Sequence, residues 1–450
     1  MAGLEDTGLG LGRLSHPAPL RTAVIGAGWA GISAAIAAAQ QGHRVSLFEA
    51  ARQLGGRARA LRLVTDQGQP YELDNGQHLL MSAYASTLSL MAQLGVDPQR
   101  VLADTPLNLR WPDGTGLALP AQLSSQPAAW QLLKAVIAAQ GWSAREKLSM
   151  LMWGGYWQAR GMRCSAHASV ADLCTRLPTK LRQQWIEPLC ISALNLPMAQ
   201  ASGQLFLNAL NDTVMSAPSQ WRGLTPKVAL DQVLPNAAHR RLIAEGHDVL
   251  LGERVTQLKR EAKGWYANGW GPFDHVVLAT DAHAAGGLIR AIDTEEARAW
   301  AACVEAIEHT AIATVYLQSQ ETRTQRAMHA LPTHHMWDAQ FLFDWQRLGR
   351  APDILAAVVS HAQGSASEIG PHVRHQVKEA FGFTDLSLIK TVVEKRATFA
   401  ATPGLIRPKT KITAGLWACG DYVEGRYPAT IEGAVRSAQA IPWKSLGAEA

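Results

Sequence analysis

Three glycines near the start of the chain, Gly26, Gly28 and Gly31, have the spacing of a loop that binds pyrophosphate. In such a G-x-G-x-x-G turn the first glycine permits a sharp bend, the second lets backbone N–H groups approach the phosphates, and the third packs helix against strand. Glu49 follows 18 residues after Gly31, where a carboxylate accepts hydrogen bonds from ribose hydroxyl groups. Because this carboxylate would repel a phosphate on the ribose, the pattern predicts a dinucleotide that lacks one.

A strand, a turn, a helix and a second strand are needed to position these residues. Residues 22–25 predict the first strand, and the alanine-rich residues 32–41 predict a helix that packs closely on a sheet. Gly42 is suited to end that helix, because glycine readily adopts the left-handed conformation found there. Residues 43–48 predict the second strand, which brings the acid at its end into register with the phosphate loop.

Gly55, Gly56 and Arg57 form a second loop soon after the acid. Two glycines let the chain pass close to a ligand, and a guanidinium pairs with phosphate oxygens through two parallel hydrogen bonds. This order of residues resembles the G-G-R loop of FAD-dependent amine oxidases and phytoene-desaturase-like enzymes. The resemblance implies FAD as the bound dinucleotide.

The C-terminal part of the chain adds a third element to this resemblance. Residues 416–421, L-W-A-C-G-D, predict a buried strand that ends in Gly-Asp, and residues 427–440 predict a loop and a helix. In this superfamily the Gly-Asp pair lies against the pyrophosphate, and the helix points its N-terminus at the flavin, where its dipole stabilises negative charge. A strand and turn over residues 246–255 resemble one that offers a valine backbone to the adenine. The resemblance therefore implies the further FAD-binding residues Val255, Gly420, Asp421, Thr430 and Ile431.

Because nucleotide-binding elements lie at both ends of the chain, the cofactor domain must be discontinuous. We predict an α/β protein in which a Rossmann-type FAD-binding domain carries an inserted, helix-rich α+β substrate domain. The predicted FAD-binding domain comprises residues 21–84, 225–285 and 395–450, the substrate domain comprises residues 85–224 and 286–394, and residues 1–20 form a flexible leader.

Composition argues against several other classes of protein. The net charge of +5 is spread over 450 residues without a run of Lys and Arg, so we expect no nucleic-acid partner. Five scattered cysteines without a C-x-x-C pair indicate a reducing compartment, and His334 and His335 lack partners at metal-ligand spacing, so we expect no metal. Neither a secretion signal nor a run of about 20 apolar residues is present. We therefore expect a cytoplasmic protein, and peripheral contact with the inner membrane stays open.

A block rich in Trp and Met lies between residues 130 and 157. Such a block either lines a long apolar tunnel, or dips into a bilayer surface, or packs as ordinary core. For most of its members core packing is the simpler expectation. Trp153 and Trp157 are the residues at which membrane contact would be tested.

Two further segments narrow the resemblance. D-N-G-Q-H over residues 74–78 and the segment over residues 185–210, which contains P-L-C-I-S-A-L-N, are similar to signatures of the hydroxysqualene dehydroxylases of bacterial hopanoid biosynthesis. The resemblance covers nearly the whole chain from about residue 21. It implies a polyprenyl substrate, hydroxysqualene, whose hydroxyl group is removed reductively to give squalene with reduced FAD as the electron source.

That reaction needs a proton donor, because the hydroxyl group leaves as water before hydride takes its place. Asp74 and His78 lie just past the G-G-R loop, where related folds bring the chain back toward the flavin, and we predict both as catalytic candidates. A histidine with its ordinary pKa near 6.5 can donate a proton at neutral pH. The alternatives are that Asp74 caps a turn and that His78 is a satisfied core histidine.

Two other functions stay open on the same fold. An oxidative desaturase of a carotenoid-like isoprenoid would gain conjugated double bonds in its product, whereas a dehydroxylase product loses oxygen. A prenyl-lipid carrier would need no cofactor contacts, and the presence of Glu49, Arg57 and Asp421 argues against it. The electron donor is not identified by the sequence.

Overall fold

The computed structural model describes residues 18–64, 68–106, 108–111, 113–118, 128–213 and 222–446. Residues 1–17 of the predicted leader lie outside this part of the chain. Within the described ranges, no helix is both long enough and apolar enough to cross a bilayer.

The strands are short and belong to several sheets. In chain order they are β1 (Arg21–Ile25), β2 (Arg44–Glu49), β3 (Ala60–Val64), β4 (Pro70–Asp74), β5 (Leu80–Met81), β6 (Leu102–Pro106), β7 (Asn108–Arg110), β8 (Gly116–Ala118), β9 (Arg222–Pro226), β10 (Asp248–Leu251), β11 (Leu258–Glu261), β12 (Gly264–Ala267), β13 (Trp270–Phe273), β14 (His275–Leu278), β15 (His309–Gln318), β16 (Met328–Ala330), β17 (Phe341–Asp344), β18 (Ile354–Ser360), β19 (Ser387–Phe399), β20 (Lys411–Thr413) and β21 (Leu416–Ala418).

The helices are concentrated in the middle of the chain. In chain order they are α1 (Trp29–Gln40), α2 (Ala85–Gln93), α3 (Pro98–Val101), α4 (Ala128–Ala138), α5 (Ala144–Ala159), α6 (Val170–Leu173), α7 (Thr179–Leu181), α8 (Glu187–Leu194), α9 (Gly203–Thr213), α10 (Leu230–Val233), α11 (Pro235–Ala244), α12 (Ala282–Ile289), α13 (Glu295–Glu305), α14 (Ala366–Phe381) and α15 (Ile431–Gln439). A π-helical turn, Arg182–Ile186, joins α7 to α8.

A six-stranded sheet with the order β10-β2-β1-β14-β21-β20 carries the predicted phosphate loop. Neighbours from β10 to β21 are parallel, and only the edge strand β20 is antiparallel. Its strands come from all three segments that the sequence assigns to the cofactor domain. The α/β fold with a parallel sheet is therefore confirmed, while the exact domain boundaries stay a prediction.

The sequence of α1 explains how this helix sits on the sheet. Half of its residues are buried alanines and isoleucines, which allow close approach on one side to the sheet and on the other to α15. The hydroxyl group of Ser33 donates to the Val435 carbonyl oxygen over 3.3 Å, which joins the two helices across the chain. Gly42 adopts φ +82°, as its predicted role at the end of the helix requires.

A second, antiparallel sheet of order β16-β17-β18-β15-β19 comes from the second inserted segment. Its long strands β15 and β19 pair over most of their lengths, with irregularities in register near both ends of the pairing. Helices α4 to α9 form most of the helical part of the first inserted segment, and their apolar side chains join those of the parallel sheet in one large core cluster. The helix-rich α+β texture predicted for the insertions is therefore present.

Candidate active site

The glycines of the first loop have distinct steric roles. Gly26 adopts φ +103°, and a Cβ atom there would lie 2.7 Å from the Ala279 carbonyl oxygen. A Cβ atom on Gly31 would lie 1.8 Å from the Gly26 carbonyl oxygen, so this residue must be glycine for the turn to close. At Gly28 the nearest atom to such a Cβ, the Gly56 Cα, is 3.9 Å away. The protein itself leaves room at Gly28, which is the position where a pyrophosphate must approach.

The two glycine loops lie against each other. The Gly55 N–H donates to the Ala27 carbonyl oxygen over 2.8 Å, and Gly28 pairs with Gly55 in an isolated parallel bridge. Gly56 adopts φ +61°, and a Cβ atom on it would lie 3.0 Å from the Gly28 Cα. The second loop therefore passes directly over the first, and together the two loops form one surface, where the sequence predicts that the phosphates bind.

Glu49 ends strand β2 beside this surface. One carboxylate oxygen accepts from the Ala27 N–H over 2.7 Å, and the other accepts from the Ala51 N–H over 2.8 Å. The side chain lines the same cavity as Gly28 and Gly56. Two backbone hydrogen bonds thus fix the carboxylate at the position where a ribose is expected.

Arg57 and Asp421 form an ion pair across 364 positions of sequence. Arg57 Nη2 donates to Asp421 Oδ1 over 2.6 Å, and Arg57 Nη1 donates to the Ala397 carbonyl oxygen over 2.6 Å. Burial by itself would lower the pKa of Arg57, but the carboxylates of Asp421, Glu394 and Asp281, with Asp421 foremost, together raise it above its ordinary value. The guanidinium is therefore a fixed positive charge, and both side chains line the cavity.

The remaining predicted cofactor residues complete this end of the cavity. Val255, Gly420, Thr430 and Ile431 all line it. The Gly420 N–H donates to the Ser437 hydroxyl oxygen over 2.8 Å, which fixes the Gly-Asp turn against α15. Thr430 caps α15 by accepting from the Gly433 N–H over 3.0 Å, so the N-terminus of this helix points into the cavity wall.

The cavity has a volume of about 1100 Å³ and continues beyond these polar residues. Pockets for one small ligand usually measure about 300–1,000 Å³, so this volume fits a large cofactor together with a second ligand. Far from the glycine loops its wall is apolar and is built by the inserted helices and the antiparallel sheet. Members of this apolar wall are Leu132, Val136, Met150, Leu151, Trp153, Leu189, Phe206, Ile312, Met328, Phe341 and Phe343.

His78 also lies in the wall of this cavity. Its Nδ1 is 2.8 Å from the Gly76 carbonyl oxygen, which can only accept, so Nδ1 carries the proton of the neutral ring. Burial lowers the pKa of His78 below its ordinary value, and the hydrogen bond to the Gly76 carbonyl oxygen and the nearby Asp74 carboxylate offset this only in part. The neutral ring therefore has Nε2 as an acceptor, and its protonated, acidic form is scarce at neutral pH.

Asp74 does not reach the cavity. Its carboxylate forms a buried ion pair with Arg350, and the two side chains are 2% and 6% exposed. The same carboxylate accepts from the Leu230 N–H over 3.0 Å. Among the described residues, the cavity lining includes Asn75 and His78 but not Asp74. The predicted catalytic role of Asp74 is therefore not supported by its position, because a proton donor must be within reach of the substrate.

A comparison with known protein families decides the assignment of the chain. The sequence model of the flavin containing amine oxidoreductases matches residues 29–441, which is most of the chain. The chain belongs to this family. It is thus an FAD-dependent oxidoreductase, and the residues described above fit that cofactor, since they offer a sterically open glycine loop, a fixed carboxylate and an ion-paired guanidinium within one cavity.

Similar curated proteins point to the narrower group that the sequence motifs suggested. The chain is 27% identical over 441 residues to a hydroxysqualene dehydroxylase of Rhodopseudomonas palustris, covering 92% of this chain and 95% of that protein. It is 25% identical over 438 residues to the hydroxysqualene dehydroxylase of Zymomonas mobilis, covering 93% and 97%. The resemblance drawn from the motifs is confirmed at this level.

The fold is shared with a solved oxidoreductase from Methanosarcina mazei. The TM-score is 0.69, the sequence identity is 16%, and the alignment covers 94% of this chain and 99% of that one. At this identity the similarity shows the fold alone.

Two further polar residues of this flavoprotein's cavity were not predicted as site residues, although both lie in segments that carried the family resemblance. Asn75 donates from its amide to the Arg57 carbonyl oxygen over 3.2 Å and to the Glu394 carboxylate over 3.1 Å. Asn195 ends α8 in the left-handed conformation with φ +55°, and its amide donates to the hydroxyl groups of Thr310 and Thr398. Asn195 belongs to the segment P-L-C-I-S-A-L-N, so the family resemblance marked it, but residue type alone gave no sign of its role.

The Trp and Met block divides between three environments. Trp142, Met150 and Trp157 are buried, and Met150 and Trp153 line the cavity. The Trp153 indole N–H donates to the Leu173 carbonyl oxygen over 2.8 Å. Of the two residues proposed for a test of membrane contact, Trp157 is therefore buried, and Trp153 is part-buried with its indole directed into the protein. The exposed members of the block lie on other faces of helices α4 and α5.

Proposed function

We propose that this protein removes the allylic hydroxyl group of hydroxysqualene and replaces it with hydrogen to give squalene. The proposal depends on one observation: the same cavity is lined by the predicted FAD-binding residues and by a long apolar wall. An apolar wall of this size suits a polyprenyl chain, whereas an amine would require polar or charged partners at that end. The similar hydroxysqualene dehydroxylases, which the chain matches over more than nine-tenths of its length, support the same substrate class.

Reduced FAD, when bound, supplies the hydride for this exchange. The chain itself must bind the polyprenyl tail, hold the alcohol near the flavin, exclude water and protonate the departing oxygen. With one proton and one hydride added, the alcohol gives a hydrocarbon and water, so atoms and charge balance. The apolar residues of the inserted helices serve the first and third tasks, since they keep water away from a developing allylic cation.

His78 is our candidate for holding the hydroxyl group. Because Nδ1 is committed to the Gly76 carbonyl oxygen, Nε2 is the ring atom that accepts from the substrate hydroxyl group, or donates to it when the ring is protonated. The lowered pKa of His78 means that the donating form becomes more abundant as pH falls. If His78 is the proton donor, kcat/KM rises as pH decreases toward a value below 6.5.

Incubation of the flavin-loaded, chemically reduced protein with hydroxysqualene under anaerobic conditions tests the function. We expect a lipid product that has lost one oxygen atom, identified by mass. A product with additional conjugated double bonds would instead identify a desaturase, and unchanged alcohol in the presence of reduced flavin would contradict both. The carrier alternative predicts bound lipid and a colourless protein.

Substitution of His78 tests its role separately. We expect His78→Gln, which retains an acceptor but cannot act as an acid, to slow single-turnover oxidation of the flavin by the substrate and to abolish the pH dependence. His78→Ala should be at least as slow. Equal rates and an unchanged pH profile in both variants would remove His78 from the mechanism while leaving the product assignment intact.

A further inference from the structure

Helices α4 and α5 show two apolar faces. One face lines the cavity through Leu132, Val136, Met150 and Leu151. The other is directed to solvent, and each of its large apolar side chains is at least 51% exposed. These exposed side chains are Trp130, Ile137, Leu148, Met152 and Tyr156, which we call the outer face.

The outer face is continuous along each helix. Leu148, Met152 and Tyr156 are spaced four residues apart and therefore form one stripe on α5, while Trp130 and Ile137 are seven apart and form one on α4. The Lys147 ammonium donates to the Ile137 carbonyl oxygen over 2.6 Å, which brings the end of α4 beside the start of the stripe on α5. Isolated exposed apolar residues are common, but a clustered set indicates a binding surface.

The segment that carries this surface is mostly basic. Residues 128–163 contain five basic residues and one acid, so they carry +4 of the chain's formal +5. The acid, Glu146, is engaged by the capping box with Ser143 and lies 3.9 Å from the Lys180 ammonium. The basic residues are Lys134, Arg145, Lys147, Arg160 and Arg163.

We propose that the outer face docks on the surface of an anionic lipid bilayer. Apolar side chains beside a basic surround are the combination that binds at the headgroup boundary, through buried apolar area and attraction to acidic lipids. Pairing with a second copy of the chain would bring two surfaces of like charge together, which disfavours that occupant. The proposal deepens the function proposed above, because α4 and α5 then separate the bilayer from the cavity that takes a water-insoluble substrate.

Flotation of the flavin-loaded protein with vesicles tests this surface. We expect binding to vesicles of phosphatidylcholine with phosphatidylglycerol, weaker binding to phosphatidylcholine alone, and weakening by salt. The double variant Leu148→Glu/Met152→Glu places two acids on the outer face without altering a residue of the cavity lining, and its partitioning should fall at least tenfold. Ile243→Glu on α11 is the matched control, since Ile243 is also about half exposed, and it should bind like the unmodified protein.

Three results would overturn the proposal. They are absence of flotation by the unmodified protein, equal flotation of the double variant, and a dimer in solution that the double variant dissociates. Assays with hydroxysqualene in detergent micelles separate this failure from failure of the function. Turnover in micelles by a double variant that no longer floats supports both proposals, whereas flotation without turnover in micelles leaves docking intact and refutes the function.

Discussion

Replacing Asp74 with Asn distinguishes a structural carboxylate from a catalytic one. The carboxylate is 2% exposed and pairs with the Arg350 guanidinium, which also lies 3.7 Å from the centre of the Trp345 ring. Asn keeps the shape and the acceptor that receives the Leu230 N–H, but it leaves the Arg350 charge buried without its counter-charge. Breaking one partner of a buried ion pair costs about 3–5 kcal/mol. We therefore expect Asp74→Asn to lower the free energy of unfolding by about this amount.

Urea denaturation followed by tryptophan fluorescence measures the loss in flavin-loaded protein. The double variant Asp74→Asn/Arg350→Met removes both charges, and we expect it to recover part of the stability, since the cost arises from the unpaired guanidinium. Arg350→Met alone supplies the fourth corner of the cycle. Turnover per bound flavin in Asp74→Asn should stay within a few fold of the unmodified protein, because Asp74 lies outside the cavity lining.

The opposite pattern would refute this reasoning. If Asp74→Asn denatured at the same urea concentration as the unmodified protein and lost turnover by a factor of about 100 or more, the carboxylate would act in general acid catalysis, whose usual contribution is of that size. The proton-donor role first predicted from the sequence would then be correct.

Three further predictions concern the first glycine loop, the Glu432 carboxylate and the buried histidines. Gly28→Ala should lower FAD content while the protein stays folded, because its Cβ meets no protein atom closer than 3.9 Å. Gly31→Ala should prevent folding, because its Cβ would overlap the backbone of the turn. If soluble Gly28→Ala bound as much flavin as the unmodified protein, the cofactor site would be contradicted. Glu432→Ala should raise hydrogen exchange at the start of α2. The buried Glu432 carboxylate accepts from the Ser86 N–H and from the Thr87 N–H and hydroxyl group, and each donor left unpaired costs about 1–3 kcal/mol. Unchanged exchange at the start of α2 would contradict this prediction. The thermal midpoint of unfolding should fall as pH drops through about 6.5. Burial holds the pKa values of several histidines below those of the same residues in the unfolded chain, so the unfolded chain binds more protons as pH falls. A midpoint independent of pH between about 7.5 and 5.5 would be inconsistent with neutral buried rings. These histidines are His43, His78, His247, His309, His329 and His361.

Local patterns predicted the phosphate-binding unit well. Strand β1, helix α1 and strand β2 follow from nearby residues, because a glycine turn, an alanine-rich helix and a closing glycine each act within a few positions. The predicted start of α1 was three residues late, at Ile32 instead of Trp29. The convergence of Glu49, Arg57 and Asp421 on one cavity needed the family resemblance, because no local rule joins residues that far apart.

Partners distant in sequence explain what was missed. Asp74 meets Arg350 across 276 positions, and without that partner the sequence offered only a carboxylate near the flavin loop. In the Trp and Met block, residue type alone did not separate Met150 from Met152, although one is 7% and the other 67% exposed. Helical spacing carried that information, since positions two apart on a helix point in different directions.

Strand β19 connects the two regions whose combination defines the proposed chemistry. Near its end, Glu394 accepts from Asn75 and the Ala397 carbonyl accepts from Arg57, which ties the strand to the FAD-binding loop. Thr398 on the same strand accepts from the Asn195 amide at the end of α8, which ties it to the helices of the apolar wall. Residues 394, 397 and 398 of one strand therefore contact both the predicted FAD-binding loop and the end of α8. Asn195 makes its contact from a left-handed conformation with φ +55°, which asparagine tolerates better than most residue types other than glycine.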